Sequence, residues 1–170
     1  VVANMICGGN TWAVYGCGFT ICISCEGNVY SFGKQSDGAH GQEEELVFPP
    51  KINPSLKHIK MISCGDLHSV CLDHDGVVFS FGCNELGQLG MGKPVDELEF
   101  TYVPQRIDLP PIKQISCGYN FSICLSENGE LYSFGGNYFG QLGNGEKEDS
   151  NFPQKITSLK DVDFIECGGD

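Results

Sequence analysis

The sequence predicts an all-β chain of propeller-type blades, each of about four antiparallel strands, and three observations predict it. A segment of strand and turn residues is written three times: Gly16–Gly33, Gly65–Gly82 and Gly118–Gly135, with the Phe of a Phe-Gly pair 16 residues after the first aligned Gly each time. From aligned Gly to aligned Gly the period is 49, 53 and 50 residues (Gly16, Gly65, Gly118, Gly168), so a fourth copy opens just before the chain stops at Asp170. No window sustains apolar residues at helical spacing, whereas four short strands in about fifty residues is blade bookkeeping.

Each element of the repeat has its own warrant. Phe121-Ser-Ile-Cys-Leu125 alternates large and small residues, the pattern of a strand. Glu127-Asn-Gly129, matched by Asp75-Gly76 and Glu26-Gly27, then supplies a tight turn, because Asn and Gly accept positive φ. Leu131-Tyr-Ser-Phe134 returns as the second strand of a hairpin. Next come Gly-punctuated loops: Asn84-Glu-Leu-Gly-Gln-Leu-Gly90, Asn137-Tyr-Phe-Gly-Gln-Leu-Gly143 and the looser Gln35-Ser-Asp-Gly-Ala-His-Gly41. Pro49-Pro-Lys-Ile52, Pro104-Gln-Arg-Ile107 and Pro153-Gln-Lys-Ile156 open an extended stretch, with Pro suited to an edge where its missing N–H costs no ladder bond. That stretch is expected to run into Ile62-Ser-Cys, Ile115-Ser-Cys and Ile165-Glu-Cys. The repeats are placed at about 13–62, 63–115 and 116–165, with 1–12 a remnant of a preceding blade and 166–170 the start of the next.

On the Cys-Gly…His-Ser stretch, the aromatic-Gly pair and the Gly-Gln-Leu-Gly loop, residues 13 to 170 resemble the regulator of chromosome condensation repeat family. There are three departures. The aromatic-Gly pair, often Trp-Gly in that family, is Phe-Gly throughout; only His68-Ser69 keeps the His-Ser pair; the first repeat lacks Gly-Gln-Leu-Gly. The resemblance implies a seven-bladed ring, of which this chain holds about three and a half blades. An open array leaves strand edges and blade faces uncovered, which predicts either a piece of a longer protein or self-association through those edges.

Charge narrows the partners. With 22 acidic against 10 basic residues the formal net charge is −12. Direct nucleic-acid binding is not expected, since roughly 6–10 neutralised phosphates would demand nearly every Lys and Arg on one face. The acids cluster after each Gly loop: Glu43, Glu44 and Glu45; Asp96, Glu97 and Glu99; Glu146, Glu148 and Asp149. Repeat symmetry puts them on one rim, which reads as charged, solvated loops or as a negative surface steering a basic partner. Lys51, Arg106 and Lys155 recur before the Ile of the Pro-led strand and are expected to neutralise part of that rim. The longest variable stretch, Met91–Val103, carries Asp96, Glu97, Glu99, Phe100 and Tyr102 and reads as an acidic contact loop with two aromatics.

Ten cysteines show no zinc spacing. Cys22, Cys71 and Cys124 are repeat-equivalent, as are Cys64, Cys117 and Cys167, so six behave as small buried hydrophobes; Cys7, Cys17, Cys25 and Cys83 fall outside the rule. Reduced thiols point to a cytoplasmic or nuclear setting. Residues 1–25 lack charge but are too rich in Gly, Asn and Thr for a spanning helix. Trp12, the lone tryptophan, is either a blade anchor or a contact residue.

No catalytic, cofactor or metal motif is legible. His68, between Asp66 and Ser69, reads as a structural histidine because Phe19 and Phe121 hold its place in the other copies. Function then divides into a protein-interaction module whose partner presents a basic surface and, from the resemblance, two alternatives. One is a guanine-nucleotide exchange factor for a small GTPase such as Ran; the other is the repeat region of a larger ubiquitin ligase or kinase. The family's exchange residues lie in irregular insertions, and none can be placed in this chain.

Overall fold

Three meanders of four strands carry the chain. In this computed structural model the described residues are 2–8 (backbone only), 18–35, 37–92 and 97–168. The strands are β1 (Val2–Gly8), β2 (Gly18–Ser24), β3 (Val29–Lys34), β4 (Leu46–Ile52), β5 (Ile59–Cys64), β6 (His68–Asp73), β7 (Val78–Cys83), β8 (Phe100–Arg106), β9 (Ile112–Cys117), β10 (Phe121–Ser126), β11 (Leu131–Gly135) and β12 (Ser150–Ile156). They form sheets β1-β2-β3-β4, β5-β6-β7-β8 and β9-β10-β11-β12, antiparallel throughout. The hairpins fall where the turns predict: Gly129 has φ 75° and its N–H reaches the Ser126 carbonyl at 3.0 Å, and the equivalent Gly27 and Gly76 bonds measure 2.9 and 3.3 Å.

Three expectations need correction. The Pro-led stretch is not one strand: β4 ends at Ile52 and β5 starts at Ile59 in the next sheet. The prolines sit inside β4, β8 and β12, which are the edges of their sheets. Val2–Gly8 is no remnant of a preceding blade, because it pairs with β2 and completes the first sheet. Its register puts Cys7 opposite Thr20, as Cys64 stands opposite Ser69, so Cys7 belongs to the Cys64 series rather than outside it. Finally, Lys51 is not equivalent to Arg106 and Lys155. Lys51 faces Ser31, whereas Arg106 and Lys155 face Phe79 and Tyr132; the residues matching Lys51 are Gln105 and Gln154.

The core lies between the sheets rather than within them. Phe81 of the second sheet is buried among Phe19, Ile21, Ile23 and Ala39 of the first, and Phe134 of the third among Val70, Leu72 and Val78 of the second. Each such ring, fully buried, contributes about 1.5–3 kcal/mol. The Gly loops are shaped to receive it. A Cβ on Gly90 would stand 2.7 Å from the Phe134 ring, and one on Gly41 3.0 Å from the Phe81 ring.

The Ile-Ser-Cys motif stitches neighbouring blades. The Cys117 N–H donates to Ser63 Oγ at 2.9 Å, and the Cys167 N–H donates to Ser116 Oγ at 2.9 Å. Gln114 clasps Ile165 in both directions, donating to its carbonyl and accepting from its N–H. The opening of the fourth repeat thus lies along β9 as β9 lies along β5, which matches the expectation of about three and a half blades.

Candidate partner-binding surface

The loops joining the third and fourth strands of each sheet carry the acidic groups. In the second and third sheets each loop is folded around one asparagine. Asn84 Nδ2 donates to the Leu98 carbonyl and its Oδ1 accepts the Leu89 N–H. Asn137 does the same and more: Nδ2 donates to the Glu146 and Glu148 carbonyls at 3.0 and 3.1 Å, and Oδ1 accepts the Leu142 N–H at 3.0 Å. Leu89 and Leu142 are buried beneath.

The first sheet's loop departs at both places. Gln35 stands where the other loops have Asn, and His40 where they have Leu. Gln35 Oε1 accepts the Asp37 N–H at 2.6 Å, which fixes the amide and leaves Nε2 with no protein partner. His40 Nδ1 accepts the Gln42 N–H at 3.3 Å, so in the neutral ring Nε2 carries the proton; it too has no well-formed hydrogen bond. Burial holds the His40 pKa below its ordinary value, although the Glu45 and Glu44 carbonyls pull the other way. Both side chains are 1% exposed. A buried donor without an acceptor costs about 1–3 kcal/mol.

These groups floor a notch of about 200 Å³ walled by Glu43, Glu44, Glu45, Phe100 and Tyr102. Five predicted site residues from two different repeats therefore meet. The two aromatics do not lie on a loop as expected: both are in β8, with Phe100 48% exposed and the Tyr102 backbone packed against Gly38. The positive φ of Gly38, 75°, and the absence of a side chain let β8 approach; a Cβ there would meet Tyr102 N at 2.9 Å. Glu44 pairs with Lys51 and Glu45 with Lys34. Glu43 has no ion-pair partner among the described residues.

The remaining predicted residues stay apart from the notch. Glu97 and Glu99 are exposed, and Asp96 lies outside the described residues. Glu146, Glu148 and Asp149 are exposed, but Asp149 is used within its own loop, accepting the Asn137 N–H at 2.7 Å. Of the three cations expected to neutralise the rim, only Lys51 reaches it; Lys155 pairs with Glu130 at the hairpin end. Gln35 and His40 went unrecognised in the sequence, although the lost Gly-Gln-Leu-Gly was their signal. Also unforeseen is an edge-on pair, Tyr138 and Phe139 (76% and 70% exposed), beside a cleft of about 480 Å³ with Leu86, Lys147 and Glu148.

The other chemistry-bearing groups are structural. His68 Nε2 lies 2.9 Å from Ser122 Oγ across two blades, and burial holds its pKa down at about 4. Burial raises the thiol pKa of Cys71, Cys124 and Cys117, so these do not act as nucleophiles. Cys83 is buried and Cys25 exposed; Trp12 and Cys17 lie outside the described residues. Among the described residues no three His, Cys, Asp or Glu side chains converge as a metal site. Among the described residues no helix is long and apolar enough to cross a membrane.

Sequence comparison agrees with this geometry. The regulator of chromosome condensation (RCC1) repeat matches residues 26–72, 75–125 and 128–170. The chain belongs to the RCC1 repeat family. It is 32% identical over 160 residues to the ultraviolet-B receptor UVR8 of Arabidopsis thaliana, covering 89% of this chain and 36% of that one. Among solved structures, human WBSCR16 superposes with a TM-score of 0.80 at 25% identity over 99% of this chain and 43% of that one. Prp20p of Saccharomyces cerevisiae, whose structure was described with its binding to Gsp1p and histones, gives 0.76 at 24% identity, over 89% of this chain and 40% of its own. The chain thus spans less than half the length of each of these proteins.

Proposed function

We propose that this RCC1 repeat chain is a protein-interaction module whose loop face recruits a partner with a basic surface, in the cytoplasm or nucleus. The observation that carries the reading is the repeated placement of carboxylates: every described one of the predicted rim, from Glu43 to Asp149, is solvent-exposed on equivalent loops. With a net charge of −12 such a rim steers positively charged partners and speeds encounter. Binding of the related Prp20p to Gsp1p and to histones, which are basic, is in keeping with protein partners. The test is salt-dependent binding to a purified core histone dimer, followed by surface plasmon resonance. Rim variants with Glu replaced by Gln should slow association, and an association rate indifferent to salt and to those substitutions would exclude the reading.

Guanine-nucleotide exchange is the second reading. It is separated by measuring release of labelled GDP from Ran in the presence of the protein. Acceleration lost on deleting residues 91–103 would put exchange first. Association of the chain with itself through its end blades is measured by sedimentation velocity.

A further inference from the structure

The notch between the first two sheets offers more than charge. The second and third loops spend their amide donors internally, on Leu98, Glu146 and Glu148 carbonyls. The first loop, by two substitutions, keeps Gln35 Nε2 buried and without a protein acceptor, while His40 Nε2 makes no well-formed hydrogen bond although the Glu45 and Glu44 carbonyls act on the ring. Both residues line one notch, together with three glutamates and two aromatic residues. The Gln35 donor calls for an acceptor atom. The glutamates repel a carboxylate or phosphate, so the acceptor is neutral, and a peptide carbonyl fits. Glu43 lacks an ion-pair partner among the described residues and calls for a cation, and the ring of Phe100, half-exposed, provides an apolar and π surface for an alkyl stem and its charged head. About 200 Å³ is less than the roughly 300–1,000 Å³ of small-molecule sites and suits one long side chain.

We propose that this notch binds a single arginine or lysine side chain of an extended basic peptide, whose adjacent backbone carbonyl takes the hydrogen bond offered by Gln35 Nε2. The inference rests on the basic-partner reading above and names one place on the rim where that partner is gripped.

Fluorescence anisotropy with a capped, fluorescein-labelled Gly-Gly-Arg-Gly-Gly peptide tests it, with the citrulline peptide as the uncharged control. The arginine peptide should bind and the citrulline peptide should bind about tenfold more weakly. Glu43→Gln and Phe100→Ala should each weaken binding by about fivefold. Gln35→Asn, which restores the residue of the other two loops, should weaken it too while leaving the fold intact by circular dichroism. Glu146→Gln/Glu148→Gln should leave peptide binding unchanged. Equal losses from the first-loop and third-loop variants would overturn the notch while leaving the general rim reading standing. Binding indifferent to Glu43, Phe100 and Gln35 also overturns it. No binding of the arginine peptide at millimolar concentration overturns the notch even where the histone dimer still binds, and failure of both ends both readings.

Discussion

The loop of the first sheet and that of the third start from the same repeat and arrive at opposite uses of their polar groups. In the third, Asn137 is wholly buried and its amide holds both ends of the loop, so the carboxylates around it are arranged by internal hydrogen bonds. In the first, the Gln35 side chain reaches only to Asp37, and Gln35, its Nε2 unspent, lines a notch closed by the neighbouring sheet. A repeated residue therefore marks what the blade needs to fold, and a departure from the repeat marks where one copy is released for something else.

The sharpest way to break that contrast is to delete both amides. Asn137→Ala removes a buried network and should destabilise by about 3 kcal/mol, whereas Gln35→Ala should cost well under about 1 kcal/mol. Urea denaturation measures both, and equal losses would erase the distinction.

A second departure, His68 among Phe19 and Phe121, gives an effect of similar size that depends on pH. The folded-state pKa of about 4 lies below the ordinary 6.5. Above pH 6.5 neither state takes the proton, so stability is unaffected there. As pH falls from 6.5 through 4, the unfolded chain binds a proton that the folded chain refuses, and stability drops by about 3 kcal/mol by pH 4. His68→Phe should remove that loss. The phenyl ring is accommodated in the third sheet against Gly118, as the imidazole is against Gly65. Melting temperatures of the two proteins at pH 7 and pH 4 decide it: a parallel fall in both would place the acid sensitivity elsewhere.

Glycines sharpen the comparison between an inner and an end blade. Gly90 and Gly143 share φ 64°, but a Cβ on Gly90 meets the Phe134 ring at 2.7 Å while one on Gly143 meets only Ile156 Cδ1 at 3.6 Å. Both Ala variants bear about 1 kcal/mol of backbone strain. Gly90→Ala should cost about 1–3 kcal/mol more for displacing the ring, and thermal melts that do not separate the pair would discount the ring-in-loop packing. The smallest effect is Gln35→Asn, expected to stabilise by about 0.5–1 kcal/mol if the shorter amide recovers the loop bonds of its counterparts. A loss of stability would mean the first loop has its own favourable geometry.

The sequence by itself determined the repeat, the all-β class, the hairpins, the edge placement of the prolines and the burial of Cys22, Cys71, Cys117 and Cys124, whereas Cys64 and Cys167, expected to be buried too, are only partly so. These rest on local rules: alternation along a strand, positive φ at a turn, a missing N–H at an edge. It misjudged where one blade ends and the next begins, because β4 and β5 read as a single extended stretch and only hydrogen bonding assigns them to different sheets. For the same reason it missed that Val2–Gly8 completes the first sheet and that Lys51 is one place out of register with Arg106 and Lys155. Nor did it bring Phe100 and Tyr102 to Glu43, Glu44 and Glu45, about sixty residues away in the chain. Which carboxylates merely solvate a loop and which border a notch depends on how one blade leans on the next. That is a matter of packing between sheets, fixed by Phe81 under Gly41 and by β8 against Gly38, and only the tertiary structure decides it.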